Sequence, residues 1–180
     1  MIKIRKALES ELDWIRKQRV QAYEEHSQSV PESHWFALKQ SVTSDADAQP
    51  GVERLVADLN GEIVGSVALF PAKLDAYKGL VDTLDYPEIR MLAVSPQARN
   101  KGVASALIHE CIKQAKVNGS QHIGLHTADF MEGAMRLYER MGFERLPQFD
   151  FQPADDGIIV KAYRLSIKQD HAELISCSKH

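Results

Sequence analysis

The stretch from residue 89 to residue 115 constrains the fold most, because it joins a buried strand to an amphipathic helix through a short turn. Ile89 to Ser95 is almost continuously apolar, which is typical of a strand covered on both faces. From Gly102 onward, apolar residues recur at helical spacing until Asn118-Gly119 ends the helix. This unit predicts an α/β architecture whose turn presents unpaired backbone N–H groups.

The rest of the chain predicts the element order β α α β β β α β α β β. Asn60-Gly61 stands between two β-rich runs and is a strong hairpin signal. Residues 43–51 have turn composition and predict an exposed loop, whereas 71–87 lacks periodicity and is expected to be functional or to hold a short helix. The other predicted elements are strands at 2–5, 122–127, 143–146 and 157–167, and helices at 8–25, from Pro31 to Leu38, and from Phe130 to Met141.

Composition limits the classes of protein that the chain can represent. With 180 residues and 44% hydrophobic residues, it predicts a single domain over residues 1–170 and a weakly patterned tail at 171–180. A net charge of −3 disfavours a nucleic-acid partner. Cys111 and Cys177 cannot form a disulfide framework, and the Cys and His spacing resembles no metal site, so we expect no metal. The charged N-terminus predicts a cytoplasmic protein with no membrane partner.

The turn between the buried strand and its helix has the chemistry of a phosphate site. Arg99 and Lys101 place positive charge there, and Gly102 lets a ligand approach the backbone closely. The sequence contains neither the Walker loop GxxxxGK[ST] nor the dinucleotide fingerprint GxGxxG. The alternative is a charged turn that merely starts a helix.

Two motifs together resemble one protein family. Arg99-Asn100-Lys101-Gly102-Val103-Ala104 is similar to the R/Q-x-x-G-x-G/A signature of the Gcn5-related N-acetyltransferase (GNAT) family, and IRMLAVSP before it resembles that family's acetyl-CoA strand. Downstream, AMRLYERMGF from Ala134 resembles the family's A-x-x-L-Y-x-x-x-G-F helix and following strand. The element order agrees over residues 2–167, and the motif likeness is strong over 88–143.

The resemblance implies a fold and a ligand. The fold would be an α/β (α+β) domain, with a mixed, mostly antiparallel twisted sheet of about seven strands and about four flanking helices. Acetyl-CoA would be the co-substrate and would enter between the splayed fourth and fifth strands. The implied cofactor-binding residues are Leu92, Ala93 and Val94, which pair with the pantetheine through their backbones, and the phosphate-binding run Arg99, Asn100, Lys101, Gly102, Val103, Ala104 and Ser105. One backbone N–H of the fourth strand would polarise the thioester carbonyl.

The resemblance also implies the catalytic residues. Tyr138 stands where the family carries its general acid, and a phenol can protonate a leaving thiolate. Its alternative role is that of an ordinary core aromatic. Glu88 stands where many members carry the carboxylate that deprotonates the amine, often through water. His126 is a rival base, with Asp129 and Glu132 as outside candidates.

One position departs from the family pattern. Met131 replaces an asparagine that commonly holds the pantetheine, and either Thr127 or Asp129 compensates or the contact is missing. Arg136 and Arg140 lie four residues apart on the same helix and are candidates for a contact with a CoA phosphate.

The predicted function is acetyl transfer to a primary amine by direct attack, without a covalent intermediate. The alternative is a non-catalytic acetyl-CoA-binding sensor, and a nucleic-acid-associated acetylase is a weaker third reading. The acceptor is a small-molecule amine or a peptide (polyamine, aminoglycoside, amino acid or protein N-terminus), and a homodimer is possible. Charged and aromatic residues of the expected acceptor region are Glu24, Glu25, Glu32, Asp75, Asp82, Asp85 and Glu88, with Trp35, Tyr77 and Tyr86.

Overall fold

A computed structural model describes residues 1–74 and 84–168. These residues form seven strands and four α-helices in the predicted order. The elements are β1 (Ile2–Lys6), α1 (Leu12–Tyr23), α2 (Glu32–Thr43), β2 (Glu53–Leu59), β3 (Glu62–Phe70), β4 (Glu88–Val94), α3 (Val103–Val117), β5 (His122–Ala128), α4 (Glu132–Arg140), β6 (Glu144–Arg145) and β7 (Val160–Ser166). The predicted fold class is confirmed.

The strands form one sheet in the order β1-β2-β3-β4-β5-β7-β6. Only β4 and β5, among the strands described, run parallel; the other neighbours are antiparallel. The predicted hairpin joins β2 to β3, and Asn60 and Gly61 have φ values of 54° and 90°, as a type I′ turn requires.

Helix α3 packs its apolar face on the sheet and forms the main core. Leu107, Ile108 and Cys111 are fully buried, so the interpretation of Cys111 as a core residue is confirmed. A β-carbon added to Gly65 of β3 would lie 2.7 Å from Cγ1 of Val103, the first residue of α3. Glycine at this position therefore lets the start of α3 lie close against the sheet.

The prediction of an exposed loop at 43–51 is wrong at Asp47. A 3₁₀ turn spans Asp45–Ala48, and the Asp47 carboxylate is fully buried 2.8 Å from the Arg19 guanidinium of α1. Burying a carboxylate is tolerated because a buried cation and hydrogen bonds compensate the lost hydration. Turn composition alone does not reveal such a distant partner.

Other boundaries differ slightly from the sequence prediction. The first α-helix begins at Leu12 rather than at residue 8, because Glu9–Glu11 form a 3₁₀ turn. In that turn the Leu8 N–H donates to the Glu11 carboxylate at 2.7 Å. The predicted tail at 171–180, most of the segment 71–87 and the acceptor candidates Asp75, Tyr77 and Asp82 lie outside the described residues.

Candidate functional site

The parallel strands β4 and β5 pair only at their beginnings. Glu88 is opposite Gly124 and Ile89 is opposite Leu125, and beyond these two positions the strands have no paired residues. Both strands nevertheless continue, β4 to Val94 and β5 to Ala128. The sheet therefore opens between them toward their carboxyl ends, as the family resemblance implies.

A β-bulge accompanies this opening. The register between β3 and β4 shifts between Ser66 and Ala68, whose partners are Ala93 and Arg90, so two residues of β4 lie opposite one of β3. Within the bulge, Met91 has a φ of 57°, a left-handed value that is costly for a side chain of this size. The bulge bends β4 and redirects the backbone groups that follow it.

Side chains of α1 bind the backbone of β4 after the bulge. The Tyr23 hydroxyl donates to the Leu92 carbonyl at 2.7 Å, and the Gln18 amide donates to the Ala93 carbonyl at 3.3 Å. The Ser95 N–H donates to Val64 of β3 at 2.9 Å. Because successive backbone groups of a strand alternate in direction, the Val94 N–H points away from β3, toward the opening.

The turn that follows β4 has the backbone that its sequence predicts. Asn100 and Gly102 have φ values of 61° and 78°, and Gly102 is the N-cap of α3. The Ala106 N–H donates to the Gly102 carbonyl at 3.0 Å, which starts the hydrogen bonding of the helix. The N–H groups of residues 103–105 consequently have no acceptor inside the helix and carry its positive dipole end.

A cavity of about 440 Å³ joins the strand opening to this helix terminus. It is lined by Tyr138 and by every predicted cofactor-binding residue except Lys101, which is exposed. The cavity thus brings together the backbone of β4, the start of α3 and the face of α4. The other lining residues are Ala22, Tyr23, Glu25, His26, Ala98, Met131, Gly133, Ala134, Leu137 and Arg140.

Tyr138 occupies the wall that α4 contributes. Its side chain is buried, and its ring packs against the rings of Phe143 and Tyr163 with centroids 6.0 and 6.2 Å away. Burial, and to a lesser extent the neighbouring Tyr23 phenol, raises the pKa of Tyr138 above its usual range. Its hydroxyl makes no hydrogen bond with the described residues. The phenol therefore keeps its proton and can donate it.

Glu88 and His126 lie outside the cavity lining but are bound to each other. Both side chains are buried. His126 Nδ1 contacts the Glu88 carboxylate across the short paired region of β4 and β5. The Nε2 atom lies 3.1 Å from the Phe149 carbonyl oxygen, which can only accept, so Nε2 carries a hydrogen. Two residues that the sequence offers as rival bases thus form one hydrogen-bonded pair.

The side chain of Arg99 is bound by protein groups at the cavity wall. Its guanidinium contacts the Glu25 carboxylate and donates to the Ala22 carbonyl at 2.8 Å. It thereby ties the turn before α3 to the end of α1. The same Glu25 carboxylate lies 3.3 Å from His26.

The position where the family has asparagine is filled by Met131, whose side chain belongs to the cavity wall. The Thr127 hydroxyl contacts the Met131 sulfur at 3.6 Å, and the Asp129 carboxylate accepts from the Ile159 N–H at 3.2 Å. The Thr127 hydroxyl thus contacts the residue that stands in place of the asparagine, whereas the Asp129 carboxylate is bound to Ile159. Of the two candidate phosphate-binding arginines, Arg140 lines the cavity and Arg136 does not.

Residues expected to meet the acceptor fall in different places. Glu25 lines the cavity, while Glu24 and Glu32 are exposed at the surface. Tyr86 is buried against β5, where its ring occupies the space above Gly124. Tyr23 and Gln18 carry no signal in the sequence that would mark them as site residues, since only their long-range contacts with β4 distinguish them from other helical residues.

The described residues lack two features that would have pointed to a membrane or to a metal. They contain no helix long and apolar enough to cross a bilayer. They also contain no group of three or more His, Cys, Asp or Glu side chains arranged to hold a metal ion.

Known proteins share both the sequence pattern and the fold. A model of the Acetyltransferase (GNAT) family matches residues 9–143. Rat N-acetyltransferase 8F1 is 34% identical over 93 residues, which are 52% of this chain and 40% of that protein, so the match spans only about two fifths of the relative's length.

A GNAT-family acetyltransferase from Staphylococcus aureus Mu50 has a TM-score of 0.70 at 16% identity, covering 93% of this chain and 100% of that one. PaiA N-acetyltransferase from Thermoplasma acidophilum, solved with coenzyme A, has a TM-score of 0.69 at 14% identity over 92% of this chain and 99% of that one. Because the family model covers well over half of the sequence, this chain belongs to the GNAT acetyltransferase family.

Proposed function

We propose that residues 1–170 form one N-acetyltransferase domain that moves an acetyl group from acetyl-CoA to a primary amine. One observation carries this proposal: the unpaired edge of β4, the start of α3 and the buried phenol of Tyr138 line the same cavity. A strand edge can pair with the amide groups of pantetheine, and a helix N-terminus binds phosphate. The structure of the PaiA enzyme contains coenzyme A, in agreement with this assignment.

In this mechanism the cofactor is held mainly by backbone. The backbone of Leu92, Ala93 and Val94 along the open edge of β4 binds the pantetheine, and one N–H of this strand polarises the thioester carbonyl. The N–H groups of Val103, Ala104 and Ser105 receive the pyrophosphate, and the left-handed backbone of Gly102 aims them at it.

Proton transfer is divided between two sites. The Glu88 carboxylate, hydrogen-bonded to His126, accepts the proton that the ammonium must lose, through an intervening water, since neither side chain lines the cavity. The neutral amine then attacks the thioester carbon, the C–N bond forms and the C–S bond breaks. Tyr138 protonates the leaving thiolate and regains a proton from solvent or from the product ammonium.

A panel of amines tests the proposal. Spermidine, kanamycin, L-phenylalanine and a tetrapeptide with a free N-terminus are incubated with acetyl-CoA and the protein, and free thiol release is recorded against a blank without amine. We expect amine-dependent release with at least one of them. Acetyl-CoA binding by calorimetry, without turnover of any panel member, would support the sensor alternative. Failure to bind acetyl-CoA would refute the cofactor assignment itself.

A further inference from the structure

The strongest unassigned feature of the cavity is the hydrogen bonding of Tyr23. This residue ends α1 and lines the cavity, and its hydroxyl donates to the Leu92 carbonyl at 2.7 Å. A phenol has one hydrogen to donate and two lone pairs that accept. Since Leu92 takes the hydrogen, the Tyr23 oxygen can only accept a further hydrogen bond.

The Tyr23 phenol also holds its proton firmly. Burial raises its pKa to about 12, and the opposing effects of Arg19 and Arg90 are smaller. At neutral pH the hydroxyl therefore remains a donor to Leu92, and it does not serve as a base.

The second phenol of the cavity has the opposite capacity. Within the described parts of the chain, the Tyr138 hydroxyl meets no acceptor, so its hydrogen can be given to a ligand. The two phenols are close enough for Tyr23 to affect the pKa of Tyr138. The cavity thus offers a ligand one phenol that donates and one that only accepts.

We propose that Tyr23 binds the acceptor nitrogen and selects primary amines. This inference rests on the proposed function. The Tyr23 oxygen accepts one N–H of the amine beside Leu92, where the thioester lies when its pantetheine pairs with β4. During attack a primary amine carries two N–H groups, one for Tyr23 and one for the base. A secondary amine carries one, which the base must remove, and an alcohol likewise has a single hydrogen.

The chemistry balances for a primary ammonium. It loses one proton to become nucleophilic, forms the C–N bond as the C–S bond breaks, and loses a second proton after attack. The thiolate takes up one proton, so one proton is released overall. The remaining N–H is the one that Tyr23 holds, and it persists in the amide product.

The substitution Tyr23→Phe tests this assignment while retaining the ring. Tyr163→Phe is the matched control, because that hydroxyl also has one protein partner, Glu139 Oε1 at 3.1 Å, and does not line the cavity. For the panel amine with the highest turnover, kcat/KM is measured with the compound itself and with its N-methyl derivative, and acetyl-CoA Kd is measured by calorimetry.

We expect Tyr23→Phe to lower kcat/KM for the primary amine at least tenfold and to reduce the preference over the N-methyl compound to less than threefold. Acetyl-CoA Kd should change less than twofold, and Tyr163→Phe should resemble the unmodified protein. An unchanged preference would overturn the assignment. So would an equal loss of acetyl-CoA affinity, which would mean that Tyr23 acts through the β4 backbone.

A measurement on the unmodified protein covers the case in which Tyr23→Phe does not fold. The trimethylammonium derivative of the same amine keeps the charge but has no N–H, and we expect it to inhibit at least tenfold more weakly than the N-methyl derivative. Equal inhibition would count against Tyr23 as an N–H acceptor. If the unmodified protein turns over no amine, the proposed function itself fails, a result distinct from a failure seen only in Tyr23→Phe.

Discussion

The guanidinium of Arg99 is bound to the carboxylate of Glu25, and it also donates to the Ala22 carbonyl at 2.8 Å. The resemblance to GNAT enzymes places Arg99 in the phosphate-binding run, yet its side chain connects that run to α1. Its charge is already balanced by a protein carboxylate. We therefore expect the phosphate contacts of this turn to come chiefly from backbone N–H groups.

Arg99→Ala should affect stability and affinity only moderately. A partly exposed ion pair contributes up to about 1 kcal/mol, which corresponds to a decrease in Tm of about 2–4 °C for a chain of this size. Calorimetry should show acetyl-CoA Kd rising less than tenfold. A loss of affinity of a hundredfold or more would show that the Arg99 side chain contacts the phosphates directly.

Gly102→Val should weaken acetyl-CoA binding at least tenfold, because a β-branched residue opposes the left-handed backbone that aims the first N–H groups of α3. A β-carbon there would meet no protein atom within 4 Å, so the cost is in the backbone and not in a clash. Gly119→Val is the matched control. Gly119 has a φ of 80° and open surroundings, as Gly102 does, but it lies at the other end of α3. Equal affinity losses in the two variants would argue against a phosphate site at Gly102.

Arg140→Ala should weaken acetyl-CoA binding about threefold to tenfold, as expected for one exposed charged contact, and the effect should shrink at high salt. Arg136→Ala removes an arginine from the same helix, but outside the cavity, and should leave Kd unchanged. Titrations at 50 mM and 500 mM NaCl check both expectations. Equal effects of the two substitutions would indicate only a general contribution of positive charge.

Tyr138→Phe should lower kcat by roughly 10²–10⁴ while acetyl-CoA Kd changes little, because the substitution removes the donor and keeps the ring. Steady-state thiol release and calorimetry measure the two quantities, with Tyr163→Phe as the control. Turnover close to that of the unmodified protein would mean that water protonates the thiolate. Parallel losses of rate and affinity would instead make Tyr138 a cofactor contact.

Stability should fall at alkaline pH. Burial raises the pKa of Cys111 and that of Tyr23 to about 12, and raises that of Tyr138 as well. Below about pH 8.5 these groups are neutral in both the folded and the unfolded chain and contribute no pH dependence. Above about pH 8.5 for the cysteine and about pH 10 for the tyrosines, the unfolded chain loses protons that the folded chain retains. Between its unfolded and its folded pKa, each such group lowers the free energy of unfolding by up to about 1.4 kcal/mol per pH unit.

Urea denaturation at pH 8, 9, 10 and 11 measures this decrease. Cys111→Ala removes the thiol, which ionises in the unfolded chain at the lowest pH of the three groups. The free energy of unfolding of this variant should therefore decrease less steeply between pH 9 and 11 than that of the unmodified protein. A slope equal to that of the unmodified protein would contradict the assignment.

The sequence by itself determined the elements whose cause is local. The apolar run from Ile89, the left-handed Gly102 and the Asn60-Gly61 turn each depend on residues a few positions apart, and all three have the predicted structure. The backbone of the turn before α3 and the place of Tyr138 on α4 could be predicted for the same reason, since a motif fixes both residue type and backbone.

Only the tertiary structure decided which distant groups meet. The Tyr23 hydroxyl reaches a carbonyl 69 positions away, His126 binds a carboxylate 38 positions away, and Arg19 buries Asp47 in a segment with the composition of a surface loop. These contacts depend on strand order, on the bulge at Met91 and on the divergence of β4 from β5, each of which results from packing across the whole sheet. Hydrophobic periodicity predicts which face of an element is buried. It does not predict which polar group of another element that face will contact.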